Sequence, residues 1–214
     1  MSCTLHDATV RKMLDGMHAE SELNDPPLLA RAAGKSGAER QALLTTAFIP
    51  VDQASGRLLY TLVRGAGGGN VIEFGTSYGI SAIYIAAALR DCGQGRLITS
   101  EIVEAKADRA RDYIRSAGLL DLVDIRLGDA MQTLSDVPDD IALVFLDGLK
   151  SLYLPVLRML EPKLKPGALV IADDLDLFPE PLKPYCDYVR DPANGYVSVT
   201  VPIGDAMELS TRVG

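Results

Sequence analysis

The stretch "NVIEFGTSYGISAIYIAAALRD", residues 70–91, determines the fold that we predict for this chain. Its first five residues form a short apolar run that is typical of a buried strand. The turn "GTSYG" at 75–79 follows, and the remaining residues have the length and composition of a buried helix. A strand that leads through a glycine turn into a helix is the repeating unit of a parallel α/β sheet.

The same unit repeats along the chain. Further strands are predicted at "GRLITSE" (95–101), "LVDIRLG" (122–128), "IALVFLD" (141–147) and "GALVIADD" (167–174). The end differs, because "YVSVTVPIG" and "AMELSTRV" are strand-like runs joined by "GD", which is typical of an antiparallel hairpin. We therefore predict an α/β fold: a Rossmann-like, doubly wound, mostly parallel seven-stranded sheet with a C-terminal antiparallel hairpin and N-terminal helices.

The N-terminal segment has a helical pattern. Val10, Met13, Leu14 and Met17 share one helix face, and "NDPP" at 24–27 is expected to end that helix. No linker or repeat interrupts the chain. Residues 1–214 are therefore expected to form one domain, with a helical cap or lip at 1–66 and an α/β core at 67–214.

Composition limits the classes of partner. The 214 residues are 48% hydrophobic and 23% charged, with a net charge of −8. This acidic balance argues against nucleic acid or an anionic membrane as the partner. No apolar run approaches the ~20 residues of a membrane span. The first residues lack the apolar segment of a signal peptide, so a cytoplasmic location is expected.

Cysteine and histidine usage narrows the chemistry. The three cysteines are widely separated, show no metal-binding spacing and are expected to be free thiols. The two histidines both lie near the N-terminus. Histidine catalysis and zinc chemistry are therefore disfavoured, and carboxylates, lysines and backbone groups are the candidates.

Acidic residues stand at the ends of five predicted strands, where open parallel sheets bind their ligands. A carboxylate such as Glu101, at the end of the second strand, can accept hydrogen bonds from both hydroxyls of a ribose. The adjacent carboxylates of Asp173 and Asp174 would repel each other at the edge of a core unless a partner compensates them. The acids of this edge are Glu73, Glu101, Asp129, Asp147, Asp173 and Asp174.

The turn after the first strand indicates a ligand loop. Gly75 and Gly79 would let the backbone approach a ligand closely, and the following helix offers free N–H groups to an anion. The dinucleotide fingerprint G-x-G-x-x-G is absent. Its absence argues against a nicotinamide-dependent oxidoreductase, which is an alternative on the same fold.

Several segments resemble a known enzyme family. The combination of "VIEFGTSYGISA", "ITSE", "LGDA" and the terminal hairpin resembles the class I S-adenosylmethionine-dependent methyltransferases. The segments "FLDGLKSLY" (145–153), "IADD" (171–174) and "VPIGDAMELSTR" (201–212) resemble those of the cation-dependent O-methyltransferases, typified by catechol and caffeoyl-coenzyme A O-methyltransferases. The resemblance extends from about Phe48 to the C-terminus.

This resemblance implies an activity and its ligands. The implied reaction transfers a methyl group from S-adenosylmethionine to a hydroxyl of a small, catechol-like aromatic acceptor, in a homodimer. A divalent cation, Mg²⁺ first and Ca²⁺ or Mn²⁺ as alternatives, is implied as well. The implied cofactor-binding residues are Val51, Glu73, Gly75, Ser77, Gly79, Ser81, Glu101, Asp129, Ala130 and Asp147. The implied metal ligands are Asp147, Asp173 and Asp174, and the implied catalytic residues are Lys150 and Asp147.

The implied groups suit this chemistry. Mg²⁺ prefers oxygen ligands and lowers the pKa of a bound hydroxyl. Lys150 near such a cation is expected to have a lowered pKa and to accept a proton as general base. Two departures from the family stand out: Asp174 replaces a usual Asn, and Leu149 replaces an aromatic wall of catechol-specific members.

Alternatives remain open on the sequence alone. Lys150 could be a solvated lysine that pairs with Asp147 at the surface, and Asp173 and Asp174 could be turn residues. The chain could methylate an RNA hydroxyl, with Arg109, Arg111 and Arg115 as a local basic patch. It could also be a metal-independent small-molecule methyltransferase, or bind the cofactor without catalysis.

Overall fold

A seven-stranded sheet forms the centre of the chain. The computed structural model describes residues 3–35 and 37–214. The strand order is β3-β2-β1-β4-β5-β7-β6; the pairs among β1 to β5 are parallel, and β7 is antiparallel to both of its neighbours. The predicted fold class is confirmed. The strands are β1 (Gly69–Phe74), β2 (Gly95–Glu101), β3 (Val123–Leu127), β4 (Ile141–Leu146), β5 (Leu164–Ala172), β6 (Tyr196–Val201) and β7 (Met207–Arg212).

Helices cover both faces of this sheet. They are α1 (Ala8–Ala32), α2 (Gly37–Leu44), α3 (Gln53–Gly65), α4 (Ile80–Cys92), α5 (Glu104–Ser116), α6 (Ala130–Thr133), α7 (Tyr153–Leu160) and α8 (Pro179–Arg190). One apolar core lies between the sheet and α1, α3, α4 and α5, and the other lies between the sheet and α6, α7 and α8. Within the described residues, no helix has the length and apolarity needed to cross a bilayer. The three cysteines are free, as predicted.

Two helices differ from the sequence-based prediction. The predicted end of the first helix at "NDPP" is wrong, because α1 continues through Pro26 and Pro27 to Ala32. Asp25 is buried there and binds backbone amides of another segment, so tertiary contacts outweigh the loss of helix hydrogen bonds at the prolines. Helix α8 was not predicted, since three prolines obscure its pattern; Pro179 occupies its first position, where a missing N–H has no cost.

The strand order places a ligand crevice between β1 and β4. The chain runs outward from β1 through β2 to β3, and in the other direction from β4 to β5. The loops after β1 and β4 therefore diverge at this point, which is where open parallel sheets bind their ligands.

Gly75 at this crevice has almost no space for a side chain. Its φ is +104°, and a Cβ added there would lie 2.4 Å from the carbonyl oxygen of Asp147. Gly75→Ala is expected to lower the free energy of unfolding by about 2–3 kcal/mol, measured by urea denaturation. Gly93→Ala is the matched control, because Gly93 also has a positive φ, of +70°, but nothing lies within 4 Å. A loss of only about 1 kcal/mol is expected there; equal losses would contradict the close approach at Gly75.

Candidate active site

Backbone pairing brings the acidic strand ends together. The amide of Asp147 donates to the carbonyl of Phe74 (2.8 Å), and the amide of Asp173 donates to the carbonyl of Leu146 (3.1 Å). The backbone hydrogen bonding between these strands therefore continues one residue past the ends of β4 and β5. Two carboxylates that are 26 residues apart in sequence are thereby fixed at one edge of the sheet.

Lys150 lies between two of these acids. Its Nζ is 2.5 Å from Oδ2 of Asp174 and 3.3 Å from Oδ1 of Asp147, and it donates to the hydroxyl of Tyr153 at 2.7 Å. The exposed fractions of the Lys150, Asp147 and Asp174 side chains are only 12%, 17% and 14%. A solvated surface pair is therefore excluded for Lys150. Tyr153 itself is buried in the core, as expected.

Burial and mutual repulsion favour the protonated form of two of these carboxyl groups. Burial raises the pKa of Asp147 to about 7; Lys150 opposes this shift and Asp174 adds to it. Burial raises the pKa of Asp173 to about 8, and Asp147 and Asp174 add to that shift. Burial acts to lower the pKa of Lys150, but its two carboxylate neighbours outweigh burial and raise it. From the sequence, a lowered pKa is expected for Lys150 because a bound cation is assumed nearby. In this structure the two ion pairs raise the pKa of Lys150 instead.

The donor set suits a divalent cation in kind and in charge. Three buried carboxylates supply hard oxygen atoms, and their mutual repulsion is what a cation would relieve. In residues 3–35 and 37–214, however, no three acidic, histidine or cysteine side chains converge in a metal-binding arrangement. The ammonium of Lys150 contacts Asp147 and Asp174 instead. The residues therefore fit the ion chemically, and Lys150 provides the positive charge in this structure.

Asp174 has an unusual backbone conformation. Its φ is +70°, in the left-handed region that Asn and Asp adopt more readily than other residues with a side chain. Its amide donates to Oδ1 of Asp173 at 2.9 Å. In this turn the carboxylate of Asp174 contacts Lys150, while that of Asp173 accepts the amide of Asp174.

A small cavity lies beside the cluster of Lys150 and its acidic partners, between the loop after β1 and the segment 46–51. This segment is part of the predicted N-terminal cap, and from here on it alone is called the lip. Its volume is about 10 Å³, which is no more than one water molecule requires. The lining residues include five that were predicted to bind the cofactor: Val51, Gly75, Ser77, Ser81 and Asp147. The lip therefore closes over the predicted cofactor site, and a nucleoside-sized ligand can enter only when the lip moves.

Three contacts hold the lip on the loop. The rings of Phe48 and Tyr78 stack with centroids 4.1 Å apart. The hydroxyl of Ser77 donates to the carbonyl of Phe48 at 2.8 Å, and the hydroxyl of Tyr78 donates to the carbonyl of Thr46 at 3.2 Å. Ser77 has a positive φ of 46°, and this conformation directs the amide and the hydroxyl of Ser77 toward neighbouring segments.

Asp25 fixes the lip from the other side. Its carboxylate accepts the amides of Phe48 (2.8 Å) and Ile49 (2.7 Å), and its side chain is buried. Ile49 has a φ of +44°, which is strained for a β-branched residue. The two charge-assisted hydrogen bonds offset that strain.

Glu101 organises the cofactor edge of the sheet. Its Oε1 accepts the amides of Ile102 and Val103 (2.9 Å each), and its Oε2 accepts the amide of Ser77 at 2.7 Å. Lys106 is buried nearby, with Nζ 3.4 Å from Oγ of Ser77. Burial lowers the pKa of Lys106, while Glu101, Asp25 and Asp147 oppose that shift. One lysine thus faces several acids of the crevice.

Besides Glu101, four predicted cofactor residues do not line the cavity. Glu73 is fully buried, and its Oε2 accepts the hydroxyl of Thr99 at 2.6 Å. Gly79 begins α4 and packs against α5, where a Cβ would lie 3.1 Å from Ile114. Asp129 caps α6 by accepting the amide of Met131, and Ala130 is buried in the second core. Their predicted roles toward the cofactor stay predictions.

Asp25, Phe48 and Lys106 were not predicted as site residues. Asp25 lies in "NDPP", which predicts a helix end because Asn, Asp and Pro are turn formers. Lys106 lies in a charged helical segment, where one buried lysine is indistinguishable from solvated ones. Phe48 is named in the sequence analysis only as the residue where the family resemblance begins.

Comparisons with known proteins agree with this geometry. A family model described as a methyltransferase domain matches residues 72–175. A catechol O-methyltransferase of Niastella koreensis is 33% identical over 131 residues, covering 59% of this chain and 58% of that protein. One of Mycobacterium tuberculosis is 31% identical over 156 residues, covering 71% of this chain and 66% of that protein. The chain therefore spans less than two thirds of the length of either relative.

Solved structures share the fold. The O-methyltransferase TomG of Streptomyces achromogenes, solved with S-adenosylmethionine, superposes with a TM-score of 0.69 at 24% identity and covers 78% of this chain and 82% of its own. Residues 72–175 therefore match a methyltransferase domain, and the fold is the one seen in solved O-methyltransferase structures. The two relatives are catechol O-methyltransferases, in agreement with the resemblance inferred from the motifs.

The anchoring role of Asp25 is testable by hydrogen exchange. Asp25→Asn replaces an acceptor oxygen with an amide donor, so one lip N–H loses its partner. We expect amide exchange in residues 46–51 to accelerate and the free energy of unfolding to fall by about 1–3 kcal/mol. Asp129→Asn, which alters a helix cap elsewhere, serves as control. Unchanged exchange in the lip would contradict the anchoring role.

The buried carboxyl of Glu73 predicts a pH dependence of stability. Burial raises its pKa from 4.5 to about 7, against hydrogen bonds from Ser81 and Thr99. The folded chain therefore holds this proton more tightly than the unfolded chain, so the contribution is full below about pH 4.5 and is lost as the pH rises through 7. The free energy of unfolding is expected to fall by on the order of 3 kcal/mol over this pH range because of Glu73, and Glu73→Gln is expected to remove that fall. Denaturation of both proteins from pH 4.5 to 8 measures the difference, and parallel profiles would refute it.

Proposed function

We propose that this chain is a cation-dependent O-methyltransferase that acts on a hydroxyl of a small hydroxylated aromatic molecule. One observation carries the proposal: the buried cluster of Lys150 with Asp147 and Asp174 lies beside a cavity lined by the predicted cofactor residues. Asp147 belongs to both, so the proposed acceptor and donor sites share one carboxylate.

S-adenosylmethionine would supply an electrophilic methyl group on a sulfonium. The chain would hold that molecule under the lip, with the loop after β1 along its methionine part and Glu101 toward its ribose. Glu101 already accepts three amide hydrogen bonds, and its carboxylate oxygens retain lone pairs for further donors. Because methyl transfer needs in-line alignment, the rigid strand ends would position the reacting atoms.

Lys150 would accept the proton of the acceptor hydroxyl. A protonated lysine cannot do so, and both ion pairs keep it protonated. Lys150 is released from these pairs only when another positive charge balances the acids, and burial then lowers its pKa. Asp147, Asp173 and Asp174 are the residues that would hold a divalent cation, which would also lower the pKa of the acceptor hydroxyl.

A metal-independent small-molecule methyltransferase is the second candidate. It is favoured by the ammonium of Lys150, which already contacts two of the three acids. The RNA alternative has less support, because Arg109, Arg111 and Arg115 each pair with an acidic residue within 3.3 Å. A homodimer stays a prediction of the resemblance.

Methyl transfer to a catechol panel tests the proposal. Purified protein with S-adenosylmethionine should methylate a catechol, lose activity with a chelator and regain it with Mg²⁺. Lys150→Met should lower kcat by about 10²–10⁴, because the base is lost. Lys163→Met is the matched control, since Lys163 binds the carbonyls of Ser135 and Val137. Activity that survives chelation would select the metal-independent candidate, and no transfer to any phenol would refute both.

A further inference from the structure

Phe178 links the Lys150 cluster to a second cation. Its ring lies 5.7 Å from Nζ of Lys150 and 5.9 Å from Cζ of Arg40, measured to the ring centroid. Phe178 precedes α8 and is half-buried, and Arg40 lies on α2. An aromatic molecule bound beside Phe178 with a hydroxyl at Lys150 would therefore have Arg40 within reach of its far end.

Arg40 has donors available for a ligand. A guanidinium carries five N–H groups in a planar fork that matches a carboxylate. Across the described part of the chain, Arg40 forms one hydrogen bond, from Nη1 to the carbonyl of Ala32 at 3.2 Å, and no ion pair. In the described residues this half-buried guanidinium has no acidic partner, so its remaining N–H groups are available to a ligand.

Exposed apolar residues lie next to Lys150 and to Phe178 in sequence, and one lies in the lip. Leu149 is next to Lys150 in sequence and is 59% exposed, and Leu177 is next to Phe178 and is 53% exposed. Ile49 of the lip is 41% exposed. Large exposed apolar residues in segments that border a site indicate a surface that a ligand covers. Such a surface suits the flat faces of an aromatic ring.

The charges define one orientation for the acceptor. The exposed Asp176, two residues before Phe178, would repel an anion from that segment. A negatively charged substituent would therefore be directed toward Arg40, which leaves the hydroxyl at Lys150. The reversed orientation would place an anion against the acids.

We propose that Arg40 determines acceptor specificity by binding a carboxylate, so that the acceptors are hydroxylated aromatic acids. This inference rests on the proposed function, because it identifies the acceptor class of the same site. It assigns recognition of the carboxylate to Arg40, the stacking surface to Phe178 and the reacting hydroxyl to Lys150.

A pair of acceptors of equal size tests this assignment. We compare 3,4-dihydroxybenzoate with neutral 3,4-dihydroxybenzamide by kcat/KM. The unmodified chain should prefer the acid by about tenfold or more, mainly through a lower KM, since a bidentate arginine–carboxylate pair is charge-assisted. Arg40→Gln should abolish this preference, and Arg40→Lys should restore part of it. A preference that is absent at the start, or that survives in Arg40→Gln, would overturn the inference.

A matched variant controls for general effects of losing an arginine. Arg158 also lies over a ring, that of Tyr188, at 4.7 Å from its centroid. Arg158→Gln should keep the preference for the acid. If it loses the preference as Arg40→Gln does, the effect is not specific to Arg40 and the assignment fails.

Binding measurements separate this inference from the proposed function. Turnover of the amide shows that the proposed function holds whatever the effect of Arg40. If neither these compounds nor any catechol of the panel is methylated, the proposed function fails, and calorimetric titration of both compounds still decides the role of Arg40. Tighter binding of the acid that Arg40→Gln removes would support the carboxylate site, and equal binding of acid and amide would refute it.

Discussion

The ammonium of Lys150 lies among three carboxyl groups at the carboxyl edge of the sheet but pairs with only two of them, and this imbalance of charge shapes the whole site. Burying carboxylates without compensation is costly, so a site that keeps them requires rigid support and a cation. The support comes from backbone pairing between β1, β4 and β5, with apolar cores on both faces. Lys150 supplies the cation in this structure, and its pairing with Asp147 and Asp174 leaves Asp173 uncompensated.

The proposed donor and acceptor sites are coupled through a few residues. Asp147 lines the cavity under the lip and also pairs with Lys150. The lip is held between Asp25 and the loop after β1, so its closure depends on α1 as well as on the α/β core. The N-terminal helices therefore do more than cover the core: one of their buried acids determines the position of the lip.

Most of the fold was predictable because buried parallel strands and glycine turns have strong local patterns. The predicted strand "GRLITSE" coincides with β2, whereas the strand order, with its switch between β1 and β4, is given only by the structure. Asp147, Asp173 and Asp174 were predictable because they follow strand ends, whereas Lys150 was implied only by the family resemblance. Asp25 and Lys106 were not, since their burial results from tertiary packing. Prolines in α1 and α8 misled the helix predictions for the same reason.

We propose that Asp147, Asp173 and Asp174 hold a divalent cation in place of the ammonium of Lys150. A crystal structure of the chain soaked with Mn²⁺, with an anomalous difference map, tests it most directly. We expect one strong peak coordinated by Asp147, Asp173 and Asp174, and we expect Nζ of Lys150 to have moved away from Asp174. An empty site in which Lys150 still contacts Asp174 at high Mn²⁺ concentration would contradict it.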